Sequence, residues 1–220
     1  MPPTTFPRTQ APMDATWPAG KAPLQSRSAN SKINVRGSLQ VGWRWSELFP
    51  AMDGRGADLL AELTTFIEER HRGGGRVLVR PWSLRVARST DSVGARLPVD
   101  TAGQVSGAGQ SGTSLAVTSF PANCTLKRRD YLTCVGVPYA LKIMADVTLD
   151  GLGAGTVTID PPIYVGPTQP ANGAQLLLNG LLDCFIIGPE APSSVNGVEW
   201  YEGISVRFEE AVPSTVLGEL

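Results

Sequence analysis

Histidine and cysteine are scarce in this chain, and their scarcity removes most enzyme chemistry. The 220 residues hold a single histidine, His71, and three cysteines, Cys124, Cys134 and Cys184. A Ser-His-Asp or Cys-His arrangement would have to use His71. It lies between Arg70 and Arg72 and ahead of Gly73-Gly74-Gly75, the setting of a solvated helix-end residue rather than of a base. Without a CxxC the thiols offer no zinc site, which wants four ligands at short spacing. Cys134 and Cys184 fall in apolar strand patterns and read as small core residues. A Cys124–Cys134 bridge across a hairpin is open as an alternative, although unusual for a cytoplasmic product.

Other absences narrow the field further. With 19 basic and 20 acidic residues the net charge is −1, whereas a nucleic-acid binder normally carries a basic stripe. No run of 18 apolar residues occurs, so no transmembrane helix and no membrane insertion are expected. Met1-Pro2-Pro3-Thr4 lacks the basic-then-apolar pattern of a signal peptide, so synthesis in a cytoplasm is expected. The carboxylates Glu68-Glu69, Glu190 and Glu209-Glu210 are not placed to share a substrate, because adjacent residues on a strand or helix point apart. Gly107-Ala108-Gly109-Gln110-Ser111-Gly112 is glycine-rich but lacks the Gly-Lys-Ser/Thr ending of a phosphate loop. The expectation is a protein that is not an enzyme and holds neither cofactor nor metal.

What the chain does have is alternation. From Tyr139 the apolar residues Tyr139, Leu141, Ile143, Ala145, Val147 and Leu149 take every second place, which puts one strand face on a core and the other in water. Asp150-Gly151-Leu152-Gly153-Ala154-Gly155 turns the chain, since glycine supplies the positive φ a hairpin loop needs. Val157 and Ile159 return on a strand that Pro161-Pro162 should end, proline having no N–H to donate. Ser38–Trp45, Arg76–Arg80, Thr113–Val117 and Gly203–Phe208 read as further strands. Asn179-Gly180 reads as a type I′ turn within Leu176–Ile187.

One segment changes period. Leu59, Leu60, Leu63, Phe66 and Ile67 form the apolar stripe of a helix over 57–72, acidic at its start, basic at its end and stopped by three glycines. The Gly-, Ser- and Thr-rich stretch from about Asp91 to Gly112 reads as a loop into a second β unit. The last strand then returns to the first sheet, so that residues 99–195 are inserted between strands of one domain made of 31–98 and 196–212. The fold class expected is mainly β: a helix-backed β-sandwich with an inserted β-rich sandwich or barrel. At this length about 70% of the unfolded surface can be buried without disulfide or metal.

Residues 1–30 carry six prolines and bury too little to fold alone. We read them as an extended arm along a neighbouring subunit, anchored by Phe6 and Trp17, in preference to a disordered tail. On that reading the arm can be removed with loss of assembly but not of the folded domain. Lys127, Arg128, Arg129 and Asp130 read as an exposed or intersubunit salt-bridge patch. Trp43, Trp45, Trp82, Trp200 and Tyr201 are dispersed and read as core or interface anchors.

The order of these motifs resembles bacteriophage tail proteins of the distal-tail type. The similar segments are Trp43-x-Trp45 with Pro50-Ala51-Met52, the helix, and Gly75–Pro81. Val105–Leu115, Leu126–Tyr131, Asp150–Gly155, Ile159–Pro162 and Gly203–Ala211 follow in the same order, so the likeness covers roughly residues 38–211. Similar proteins tend to carry glycine before the aspartate of the Leu126–Tyr131 segment, where this chain has Arg129. The resemblance implies a structural virion protein whose belt domain forms a homo-oligomeric ring, six-fold in the family, between tail tube and tail tip or baseplate. Tube, tip, hub and fibre proteins would be its partners. Other tail components (tube, terminator or minor tail protein) share this profile. A carbohydrate-binding module for host adsorption would instead cluster Tyr131, Tyr139, Tyr164 and Phe185 on one face.

Overall fold

The computed structural model describes residues 4–6, 14–15, 19–20, 25–27, 33–35, 43–49, 62–63, 65–70, 75–166, 169–190 and 204–211. The chain contributes β1 (Thr4–Thr5), β2 (Asp14–Ala15), β3 (Ala19–Gly20), β4 (Gln25–Arg27), β5 (Ile33–Val35), β6 (Trp43–Phe49) and β7 (Arg76–Val79). After a 3₁₀ turn at Trp82–Leu84 come β8 (Ala102–Val105), β9 (Gly112–Thr118), β10 (Thr125–Leu126), β11 (Tyr131–Cys134), β12 (Val137–Ile143), β13 (Val147–Thr148), β14 (Gly155–Ile163) and β15 (Gln175–Leu178). β16 (Leu182–Glu190) and β17 (Ile204–Glu210) complete the set. The fold is mainly β.

Two compact units share these strands. One consists of residues 1–19, 43–83 and 181–211, the other of 20–42, 84–180 and 212–220. The sheet unit gives way to the other at 83/84 and resumes at 180/181, against expected changes at 98/99 and 195/196, and residues 31–42, expected with the sheet, belong to the other unit.

The first unit is a seven-stranded sheet in the order β1-β7-β16-β17-β6-β2, with β3 also on β6. Along β6 the burial alternates: Trp43, Trp45, Glu47 and Phe49 are buried, Arg44 is exposed, and Ser46 and Leu48 are half-buried. Such a period of two lays one strand face on a core. Residues 62–63 and 65–70 are helical, with Leu63 and Ile67 buried and Glu62, Thr65, Glu68 and Glu69 exposed. This is the i, i+4 stripe that the sequence called for. The remainder of the expected 57–72 helix, with His71 and Gly73-Gly74, lies outside the described residues.

The second unit is built on a closed antiparallel barrel, β11-β12-β14-β9-β8-β15. Its interior is filled by Val105, Leu115, Val117, Leu132, Leu141, Ile143, Val157, Ile159, Leu176 and Leu178, all buried. Each such aliphatic side chain contributes roughly 1.5–3 kcal/mol on leaving water, so the barrel is a packed core and not a channel. β10 pairs with β13, and β4 with β5.

Four expectations are corrected. The alternation from Tyr139 to Leu149 is not one strand: the ladder stops after Ile143, Met144–Asp146 leave it, and Val147–Thr148 pair elsewhere with Leu126–Thr125. Pro161-Pro162 do not end β14, because they lie where its register with β9 jumps from Thr158↔Ser114 to Ile163↔Gly112. A bulge of that kind demands no N–H from the residues it carries. Asn179-Gly180 turns the chain, with φ of 48° at Asn179, but makes no hairpin. β15 on one side joins β8 and β11, and β16 on the other joins β7 and β17. The stretch 91–112 was read as loop and contains β8, whose short Ala-Gly-Gln-Val run carries too little apolar signal to announce itself.

Gly103 faces the buried ring of Phe120, and a Cβ there would come within 2.2 Å of it. We expect Gly103→Ala to destabilise the barrel unit by about 1–3 kcal/mol through overpacking, measured as a lower urea midpoint. A midpoint equal to that of the parent protein would contradict the close approach.

Candidate functional site

Asp130 is the most constrained polar residue of the barrel unit, and it is not an exposed member of a charge patch. It is 0% exposed. Its carboxylate accepts from the amide of Arg88 (2.9 Å), the amide of Ser89 (2.7 Å), the Ser89 hydroxyl (2.6 Å) and the Asn179 side-chain amide (3.2 Å). Asn179, itself buried, also donates to the Leu84 carbonyl and accepts from the Tyr131 amide at 2.9 Å. The Ser89 hydroxyl in turn accepts from the Lys127 amide at 3.0 Å. A buried carboxylate is tolerated when its lone pairs are met by donors, and here four neutral donors do so. The result ties Leu84–Ser89, Lys127–Tyr131 and Asn179 together where the chain enters and leaves the barrel unit.

The three basic neighbours behave differently from Asp130. Arg128 and Arg129 are exposed and Lys127 is half-buried. Lys127 Nζ stands 3.0 Å from Asp146, whose other oxygen accepts the Arg128 amide at 2.8 Å. The Arg128 amide first, and Lys127 second, hold the Asp146 carboxyl below its ordinary range. The pair is solvent-exposed, so it orients the loop more than it stabilises it. Arg129 has φ of 80°, the left-handed region that favours glycine. The turn therefore forms with arginine at that place, and the backbone strain gives a physical reason why glycine suits it.

In the sheet unit, Phe6 is 3% exposed, and the socket that takes it is supplied by its own chain. Its ring meets Phe208 edge-on at 5.1 Å, Phe66 edge-on at 5.8 Å and Phe49 at 6.1 Å between centroids. Its amide donates to the Leu78 carbonyl at 2.9 Å. Removal of residues 1–30 would thus take a core aromatic from the sheet as well as the arm, contrary to the expectation of an intact domain. Trp17, the other expected anchor, lies outside the described residues, as do Trp200 and Tyr201.

The outward face of the same sheet carries a groove that the sequence did not announce. Arg44, Trp45, Ser46, Phe185, Ile187, Arg207, Phe208 and Glu209 line a volume of about 620 Å³. Phe185 and Ile187 are 43% and 40% exposed, and Arg44 bridges Glu209 across the strands at 2.7 Å. Cys184–Ile187 is apolar on both faces, and only the cross-strand partners decide which side stays open.

No catalytic arrangement accompanies these features among the described residues. All three cysteines are free and buried, so the Cys124–Cys134 bridge is not formed. Burial pushes Cys134 up to about 12 and raises Cys124. Cys184 is raised by burial and then by Glu210, Asp183 and Glu47, so none is a ready nucleophile at neutral pH. Among the described residues no group of three His, Cys, Asp or Glu could hold a metal ion, and no helix is long and apolar enough to cross a membrane. In the glycine-rich loop the Gly107 amide already donates to Asn172. Of the four aromatics that a sugar site would use, Tyr131 and Tyr139 are buried, Tyr164 packs against Tyr139 at 6.4 Å between ring centroids, and exposed Phe185 belongs to the other unit.

Comparison with family models found no match, and comparison with curated proteins found none.

Asp130→Ala would leave buried donors without an acceptor, each costing roughly 1–3 kcal/mol, and Asp130→Asn would turn an N–H₂ toward donors. We expect both to lower stability by about 3 kcal/mol or more, read from urea unfolding; a loss under 1 kcal/mol would refute the clamp. Asp183, 2.9 Å from Arg76, gives a pH-dependent case. Burial raises its carboxyl above the ordinary value, with Arg76 opposing. A folded pKa above the unfolded one means that the ionised form costs stability above that window and nothing below it. Asp183→Asn should therefore gain more stability relative to the parent at pH 7 than at pH 3, and equal differences at the two pH values would count against it.

Proposed function

We propose that this chain is a structural protein of a phage tail, whose sheet unit forms a ring joining the tail tube to the tail tip or baseplate. The observation that carries the reading is the placement of the barrel. β7 and β16 are direct neighbours, Val79 opposite Leu182, and the whole barrel lies between them in sequence. An open sheet with a β-barrel inserted into it is what the resemblance to distal tail proteins leads one to expect. In this reading the helix bearing Leu63, Phe66 and Ile67 backs the sheet, as in a belt.

The sheet also has the means for lateral contact. Its outward face presents Phe185 and Ile187 beside Arg44, Arg207 and Glu209, a mixture of apolar and charged groups suited to a protein interface. Its ladder ends in two-residue strands on both sides. Ring formation requires head-to-tail contacts that close. The carbohydrate-binding alternative is disfavoured by the burial of Tyr131 and Tyr139, which leaves no exposed cluster of the four aromatics.

Light scattering on the purified protein should give an integral multiple of 23.3 kDa, six-fold if the family's symmetry applies, and negative-stain images should show closed rings. A monomer at every concentration, alone and with purified tail tubes, would sink the reading.

A further inference from the structure

We propose that the barrel unit touches a lipid surface through the apices of two loops, Asp91–Ala95 and Asp150–Ala154, which carry Val93 and Leu152 into the interfacial layer of a zwitterionic bilayer. The inference stands whether or not the chain forms a ring.

The two loops are one structure built twice. Each reads Asp, a small residue, an aliphatic residue, Gly, Ala. In the first, Asp91 Oδ1 accepts from the Val93 amide at 3.0 Å and the Ala95 amide at 2.8 Å. The Gly94 amide donates to the Asp91 carbonyl, and the Asp91 amide to the Ala95 carbonyl. The second loop repeats all of these bonds. Asp150 Oδ1 accepts from the Leu152 and Ala154 amides, both at 2.8 Å, the Gly153 amide donates to the Asp150 carbonyl, and the Asp150 amide to the Ala154 carbonyl. Gly94 and Gly153 hold the same place, with φ of 85° and 66°. The second loop is further seated on the segment before it, since the Phe120 and Asn123 amides donate to the Gly153 and Asp150 carbonyls.

Topology sends both loops the same way. Thr90 pairs antiparallel with Arg96 and with Thr125, and Thr125 pairs antiparallel with Thr148. Thr90 and Thr148 therefore run in parallel on either side of Thr125. The loops that follow them leave at one end, two strand spacings or about 10 Å apart. At the apices Val93 is 85% and Leu152 80% exposed, and Ala95, Pro121 and Ala122 in and beside the loops are exposed as well.

What such an apex can enter follows from its hydrogen bonds. A bilayer offers no partner to a backbone N–H, so an amide carried there unsatisfied is costly. Here the aspartate at the base engages two amides and the loop closes two more on itself before any contact is made. A protein partner, with polar groups of its own, would not require this. Charge then selects the lipid. Asp91, Arg96 and Asp150 stand at the bases without a surplus of positive charge, which suits a neutral phosphatidylcholine surface and not an anionic one. No segment crosses the bilayer, and two aliphatic side chains give a weak, reversible contact.

The test labels full-length chains with the environment-sensitive dye NBD through one added cysteine, the three native thiols being buried. Leu152→Cys and Val93→Cys place the dye at the apices. Val165→Cys is the control, at a residue 81% exposed beyond the far end of β14. With phosphatidylcholine vesicles we expect a several-fold gain in emission and a blue shift from both apex positions, and neither from the control. Adding Val93→Asp to the Leu152→Cys chain should lower the gain several-fold at an unchanged urea midpoint. Replacing part of the lipid by phosphatidylglycerol should not raise the gain, and high salt should not abolish it. No gain at the apices, or an equal gain at Val165, overturns the proposal and leaves the loops to a protein pocket. A gain confined to anionic vesicles and lost in salt overturns it too, by assigning the binding to charge.

Discussion

A single carboxylate fixes the base of the barrel unit. Asp130 is sealed from solvent and satisfied by two backbone amides, a hydroxyl and a side-chain amide. These come from segments 41 and 49 residues away in sequence. Removing a buried carboxylate from water is costly, so the arrangement persists only if Ser89 and Asn179 are both in place. The converse holds as well, since the Arg88 and Ser89 amides would be stranded without it. The network therefore selects one path for the chain through the base of the barrel, and the strands on either side inherit their starting points from it.

The two units solve the problem of strand edges in opposite ways. The barrel closes on itself, β15 pairing with both β8 and β11, so that no edge remains to be protected. The sheet stays open and covers its margins with short pieces of a proline-rich arm. A segment whose composition forbids a central strand is well suited to that task, because an edge asks for few donors. The Phe6 ring then adds the apolar anchorage that two-residue ladders cannot supply.

Much of this was legible in the sequence wherever a signal is local. Tyr139, Leu141, Ile143, Val157 and Ile159 alternate and are buried, and Leu63 and Ile67 share a helical face. The mainly β class and the return of the last strand to the first sheet follow from such patterns. Asp130 was misread because it stands beside three basic residues. Adjacency along the chain suggested an ion-pair patch, while its real partners are remote amides and a hydroxyl. Phe6 reads from the sequence as an anchor on a neighbouring subunit, and no periodicity could say that a socket for it lies in the same chain. The turn at Asn179-Gly180 was visible, but its outcome depended on which ladders β15 and β16 would join. The groove containing Phe185 and Ile187 was hidden for the same reason.

The pairing of Val79 with Leu182 has a meaning for the history of such a chain. Topologically, β7 and β16 form a β-hairpin, and the entire barrel occupies the place of its turn. Hairpin turns are the parts of a sheet protein that change length with least disturbance to the ladder. A lineage could shrink this loop to a few residues, or replace it with an unrelated module, while every rung of the sheet stayed in register. What the barrel contacts can therefore change at a different evolutionary rate from what the sheet builds.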